Sequence, residues 1–111
     1  MTLDDSSFAT LVQDVLERIA SALEDAGADD LDVDLTDGVL TIEDDAGRTW
    51  VVNRHVPLKQ MWLSSPVSGA AHFAWKAEAG RWIATRGGPP LDEVLAAELS
   101  ALVGKAINPI G

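Results

Sequence analysis

Fourteen of the chain's 18 acidic residues fall within the first 45 positions, beside a single base, Arg18. That segment carries a formal charge of −13, whereas the remainder carries +3. Carboxylate oxygens are hard donors suited to Fe, Mn, Mg or Ca, and two or three neighbouring acids can share one ion. The candidate ligands are Glu17, Glu24, Asp25, Asp29, Asp30, Asp32 and Asp34. Their spacing defines no buried cage, so the sites expected are several, shallow, weak and unselective. The same charge repels DNA, RNA and anionic membrane surfaces and attracts cations and basic proteins. The alternative is an acidic surface that serves solubility alone, with the strand aspartates as the wet half of an alternating pattern. Asp32, Asp34, Thr36 and Glu43 mimic positions 1, 3, 5 and 12 of a calcium loop. The glycine that such a loop needs at its sixth position is replaced by Asp37, and the segment reads as a hairpin.

Other chemistries are poorly represented. The absence of cysteine excludes disulfides, thiolate ligands and a cysteine nucleophile. There is no HExxH, and Ser64 and Ser65 lack the glycines of a nucleophile elbow. Arg86–Pro90, RGGPP, has no Lys-Ser/Thr pair to make it a phosphate loop. The expectation is a binding protein, not an enzyme. The N-terminal MTLDDSSF has neither the basic and apolar regions of a signal peptide nor the basicity of a transit peptide. No apolar run approaches the roughly 20 residues of a membrane span, so a cytoplasmic protein is expected.

The elements that must position the carboxylates follow from periodicity. At 111 residues the chain suits one domain. Asp4–Ala26 reads as a helix, with Phe8, Leu11, Val12, Val15, Ile19 and Leu23 as its apolar stripe. Asp14, Glu17, Ser21 and Glu24 form a second, exposed stripe, and Gly27 is a suitable stop. In LDVDL, Leu31, Val33 and Leu35 alternate with Asp32 and Asp34, which predicts a strand with an acidic outer face. Asp37-Gly38 signals a hairpin into VLTIE. RTWVVNR, Gln60–Ser64, HFAW and RWIATR read as four further strands. Leu91–Val103 reads as a second helix, with Leu91, Val94, Leu95, Leu99, Leu102 and Val103 apolar. Helix, antiparallel strands, helix predicts an α+β two-layer sandwich with both helices packed on one face of the sheet.

Such a sandwich leaves one sheet face uncovered. If Met61 and Leu63 meet the helices, Gln60, Trp62 and Ser64 face outward, and Val51, Asn53 and His55 share that side of the preceding strand. A tryptophan among amides is characteristic of an interface. The alternative is that a loop or the C-terminal tail covers it. By the same alternation His55 and His72 belong to this face. Imidazoles there could serve as metal ligands or as pH-sensitive groups, because the side chain titrates near neutrality.

NRHVPLKQMWLSSPVSG, residues 53–69, resembles the signature of the frataxin family. Asn53, Arg54, Pro57, Gln60, Trp62 and Leu63 fit its pattern, while His55 stands where glutamine is usual. The likeness continues through HFAW, RW, the second helix and the acidic first helix and strand. The length and N-terminus resemble the family's bacterial branch. The resemblance implies the same α+β sandwich and an iron-binding protein acting in iron–sulfur cluster assembly, with Fe2+/Fe3+ weakly bound. It implies the cysteine desulfurase and the iron–sulfur scaffold protein as partners, with no nucleic acid and no membrane, and a monomer capable of metal-induced oligomers. Asn53, Gln60 and Trp62 carry over as partner-binding residues, with Arg54 and Lys59 as basic neighbours. Ala20 and Ser21 stand where the family often has further acids. Metal-independent regulation and iron oxidation remain open alternatives at this point.

Overall fold

The computed structural model describes residues 4–26 and 31–104, the side chain of Val103 excepted. The order of elements is α1 (Asp5–Asp25), β1 (Asp32–Thr36), β2 (Val39–Glu43), β3 (Thr49–His55), β4 (Gln60–Ser65), β5 (Gly69–Lys76), β6 (Arg81–Ala84) and α2 (Leu91–Val103). The six strands form one sheet in the order β1-β2-β3-β4-β5-β6, and every neighbouring pair is antiparallel. Helix α1 packs over β1 and β2, and α2 packs against β6.

Local chemistry explains the ends of these elements. Asp4 caps α1 by accepting the Ser7 backbone N–H at 2.7 Å, and that bond holds its carboxyl below the ordinary carboxylate range. Between β1 and β2, Asp37 and Gly38 take φ values of 51° and 76°. Two successive positive φ values make a type I′ turn, whose twist matches that of the flanking strands. The positive φ is what favours glycine at position 38, and a Cβ there would approach only the flexible end of the Arg54 side chain, at 2.9 Å. Helix α2 ends on Gly104, whose φ of 72° is left-handed.

The core lies between the helices and the inner sheet face. Phe8, Val12, Leu16, Ile19 and Leu23 of α1 and Leu91, Leu95 and Leu99 of α2 meet Leu40, Ile42, Trp50, Val52, Met61, Leu63, Phe73 and Trp82. Leu16 is fully buried although the predicted stripe omitted it, and Leu11 and Val15 only flank the core. Val33 also departs from expectation. Register pairs it with buried Ile42, on the inner side, but β1 is an edge strand and Val33 remains 39% exposed.

Two polar networks pin this core to its periphery. Glu98 of α2 accepts the Trp50 indole N–H at 3.0 Å and the Ser65 hydroxyl at 2.6 Å. Ser65 Oγ in turn accepts the backbone N–H groups of Val67 and Ser68. The helix, β3, and the β4–β5 turn are thereby joined through one carboxylate. At the other side of α2, Arg81 donates to Asp92 at 2.6 Å and to Glu93 at 2.7 Å, and the bond to Asp92 raises its pKa above the usual arginine value.

Asp44 is the acid most enclosed by its own turn. Burial raises its pKa, but the backbone and guanidinium N–H groups of Arg48, together with the Ala46 N–H, outweigh burial and hold it below the ordinary value of 3.8. A depressed folded-state pKa contributes stability above the unfolded value and loses it as pH falls through the folded one. Asp44→Asn is therefore expected to be less stable than the parent at pH 7 and to lose less on acidification below about pH 4. Urea unfolding across that interval measures this, and parallel losses in the two proteins would contradict the assignment.

Candidate functional site

The acidic surface is assembled from α1 and from the β1 edge of the sheet. Glu17, Glu24 and Asp25 are exposed on α1, and Glu17 accepts a hydrogen bond from Gln13 at 2.9 Å. Asp14, on the same helix, pairs with Arg18 at 3.0 Å. Asp32 and Asp34 are exposed on β1, where register aligns them with Glu43 and Thr41, on the face away from the helices. The predicted band is thus divided between the helix layer and the outer face of the sheet. Asp29 and Asp30 lie outside the described residues. Among the described residues, no three carboxylates or imidazoles converge on a point that could hold a metal ion. The donors are all oxygen and all exposed, which fits hard cations held loosely at a surface and does not fit an enclosed metal centre.

The uncovered face carries the second site. The strands place Asn53, Trp62 and His72 side by side on β3, β4 and β5. Trp62 is half-buried, and among the described residues a pair of imidazoles covers it, while the C-terminal tail offered as an alternative cover lies outside the described residues. His55 stacks on the indole at 4.0 Å with rings 7° from parallel, and His72 stacks on its other face at 4.2 Å and 10°. The indole N–H donates to Gln60 Oε1 at 3.0 Å. His55 is itself oriented, because its Nδ1 accepts the Leu58 backbone N–H at 3.3 Å. Neutral His55 therefore carries its proton on Nε2. Three side chains hold the indole in one orientation, so little rotamer freedom remains to be lost on binding. Apolar side chains frame the two ends of the face: Val56 and Leu58 in the β3–β4 turn, and Val67 in the β4–β5 turn, are exposed.

Two basic residues assigned to this face do not lie on it. Arg54 is opposite Met61 in register, on the helix side of β3, and its side chain lies over Gly38. Lys59, at φ 52°, reaches Asp5 at the start of α1, with Nζ 3.1 Å from the carboxylate. Strand alternation excludes Arg54 from the outer face, and the turn's left-handed residue directs Lys59 toward the helix. The stacking of His55 and His72 was not read from the sequence, although alternation did place both on the correct side. The missing information was register, which sets Trp62 against His72 and Gln60 against His55.

The family profile of the Frataxin-like domain matches residues 1–105. The iron-sulfur cluster assembly protein CyaY of Thioalkalivibrio sulfidiphilus is 38% identical over 105 residues, covering 94% of this chain and 97% of that protein. Among solved structures, frataxin from Psychromonas ingrahamii superposes with a TM-score of 0.84 at 27% identity, covering 96% of this chain and 97% of that one. The trimeric frataxin of Saccharomyces cerevisiae, complexed with ferrous, gives a TM-score of 0.73 at 35% identity, with 86% and 87% covered. Among the described residues, no helix is long and apolar enough to cross a membrane.

Proposed function

The chain belongs to the frataxin family, and we propose that it carries iron loosely on its acidic surface and acts in iron–sulfur cluster assembly by docking on the cysteine desulfurase and its scaffold protein. The observation that carries this reading is the exposed, unconverged arrangement of the carboxylates on α1 and β1. Such an array binds a hard cation weakly enough to release it, so iron is cargo and not a resident cofactor. The same charge speeds encounter with a basic protein surface and makes it sensitive to salt. The protein acts in the cytoplasm by binding alone, as a monomer that iron can draw into oligomers. A regulatory role that needs no metal is favoured by one feature, the Trp62 stack, which is fully formed from protein side chains.

The test is affinity capture of the desulfurase by the full chain and by the triple variant Glu17→Gln, Glu24→Gln, Asp25→Asn. The variant is expected to bind about tenfold more weakly, with a flatter salt dependence. Ferrous iron is expected to weaken capture by the parent chain through competition for the same oxygens. Unchanged capture by the variant, together with indifference to iron, would overturn the assignment.

A further inference from the structure

Strand β6 stops at Ala84, whereas its neighbour β5 runs on to Gly69 in the other direction. The mismatch leaves a recess at the sheet edge, closed at its inner end where Thr85 N–H donates to the His72 carbonyl at 2.9 Å. The recess encloses about 350 Å³ and is lined by Ala70, Ala71 and Ala84 together with His72 and Arg86. It adjoins the indole stack directly, because His72 belongs to both.

Arg86 is the one arginine or lysine of the lining. The chain has 18 acids for 8 lysines and arginines, so a carboxylate partner is easily found. Arg18, Arg48, Lys59 and Arg81 each have one, whereas Arg54, Lys76 and Arg86 have no ion pair among the described residues. Arg86 is exposed and makes no ion pair or hydrogen bond with another described residue. A guanidinium beside a recess walled by methyl groups, with an imidazole alongside, complements a short apolar stem ending in a carboxylate.

We propose that this recess receives a glutamate side chain of a docking protein. The inference rests on the reading that the outer sheet face is a protein-binding surface, and it specifies the partner's chemistry there. Fixed charge changes sign across the sheet, from Asp32, Asp34 and Glu43 at the β1–β2 edge to Arg86 beside the end of β6. A polyanion such as nucleic acid would meet the acidic edge and be repelled. The complementary partner presents bases to one edge and an acid to the other, and this polarity fixes the orientation of docking.

The probe is the capped tripeptide acetyl-Ala-Glu-Ala-amide, titrated into the isotopically labelled full chain at constant ionic strength and followed by amide chemical shifts. Acetyl-Ala-Gln-Ala-amide and inorganic phosphate serve as comparisons. Saturable shifts are expected at residues 70–72 and 84–87 and at the Trp62 indole N–H. The glutamine peptide, and the glutamate peptide with Arg86→Gln, should each bind about tenfold more weakly, the loss expected for one charge-assisted hydrogen bond. Equal binding of the two peptides, tighter binding of phosphate, or full binding by Arg86→Gln would each overturn the proposal. Capture of the desulfurase by a Trp62→Ala chain separates the two readings. If capture falls while the peptide fails to bind, the recess is wrong and the docking face stands. If the peptide binds and capture is unchanged, the docking face is wrong.

Discussion

Replacing Trp62 with alanine is expected to weaken binding to the proposed desulfurase–scaffold partners by about thirtyfold to a thousandfold, the 2–4 kcal/mol range of a tryptophan hot spot. The indole is half-exposed, flanked by imidazoles at 4.0 and 4.2 Å and anchored to Gln60. It therefore presents a large, rigid contact area whose ordering cost has been met within the free protein. The folded state should lose much less, about 1–3 kcal/mol for two aromatic contacts. Trp62→Phe separates the contributions, because it keeps stacking area but removes the N–H that engages Gln60. Titration calorimetry for binding and urea unfolding for stability provide the measurements. A Trp62→Ala protein that binds like the parent would eliminate the outer face as the interface.

The largest loss of stability is expected at Trp50. Its indole is 1% exposed within the core, and truncation to alanine should cost about 4–5 kcal/mol. The substitution also removes one of two hydrogen bonds from Glu98, leaving that carboxylate to Ser65 alone. Against the 5–15 kcal/mol typical of a domain, this brings the chain near its unfolding threshold and lowers the thermal midpoint by roughly 20 °C. Trp50→Phe keeps most of the volume and forfeits the donor, with an expected cost of about 1–2 kcal/mol. Chemical denaturation distinguishes them. Equal losses in the two variants would show that the bond to α2 outweighs packing at this site.

The contrast between these residues shows what local pattern can convey. Period fixed α1, α2 and all six strands within a few residues, because each element buries one face and its apolar residues must recur accordingly. It failed by rotation at Leu16, which lies four residues beyond Val12 and belongs to the centre of the stripe. It also failed at Val33, because alternation is the same in an edge strand and an interior one. The acidic surface was legible as composition, but its division between the helix layer and the outer sheet face depends on which way Asp32 and Asp34 point in register. Glu98 looks like any exposed helix acid until α2 is docked, since its bond to Trp50 crosses 48 positions. The indole stack is intermediate. Its three rings could be assigned to one face from alternation, whereas their contact follows from pairings between separate strands.

The sheet's simple order has a consequence for how the chain is made. Each strand pairs only with its neighbours in sequence, so hairpins can close one after another as residues leave the ribosome. Helix α1 has no such advantage. Phe8 meets Trp82 edge to face at 6.0 Å, so the first helix is synthesised well before the last strand that completes its seat. During that interval its apolar flank has no finished partner, and a segment charge of −13 opposes its association with like-charged chains.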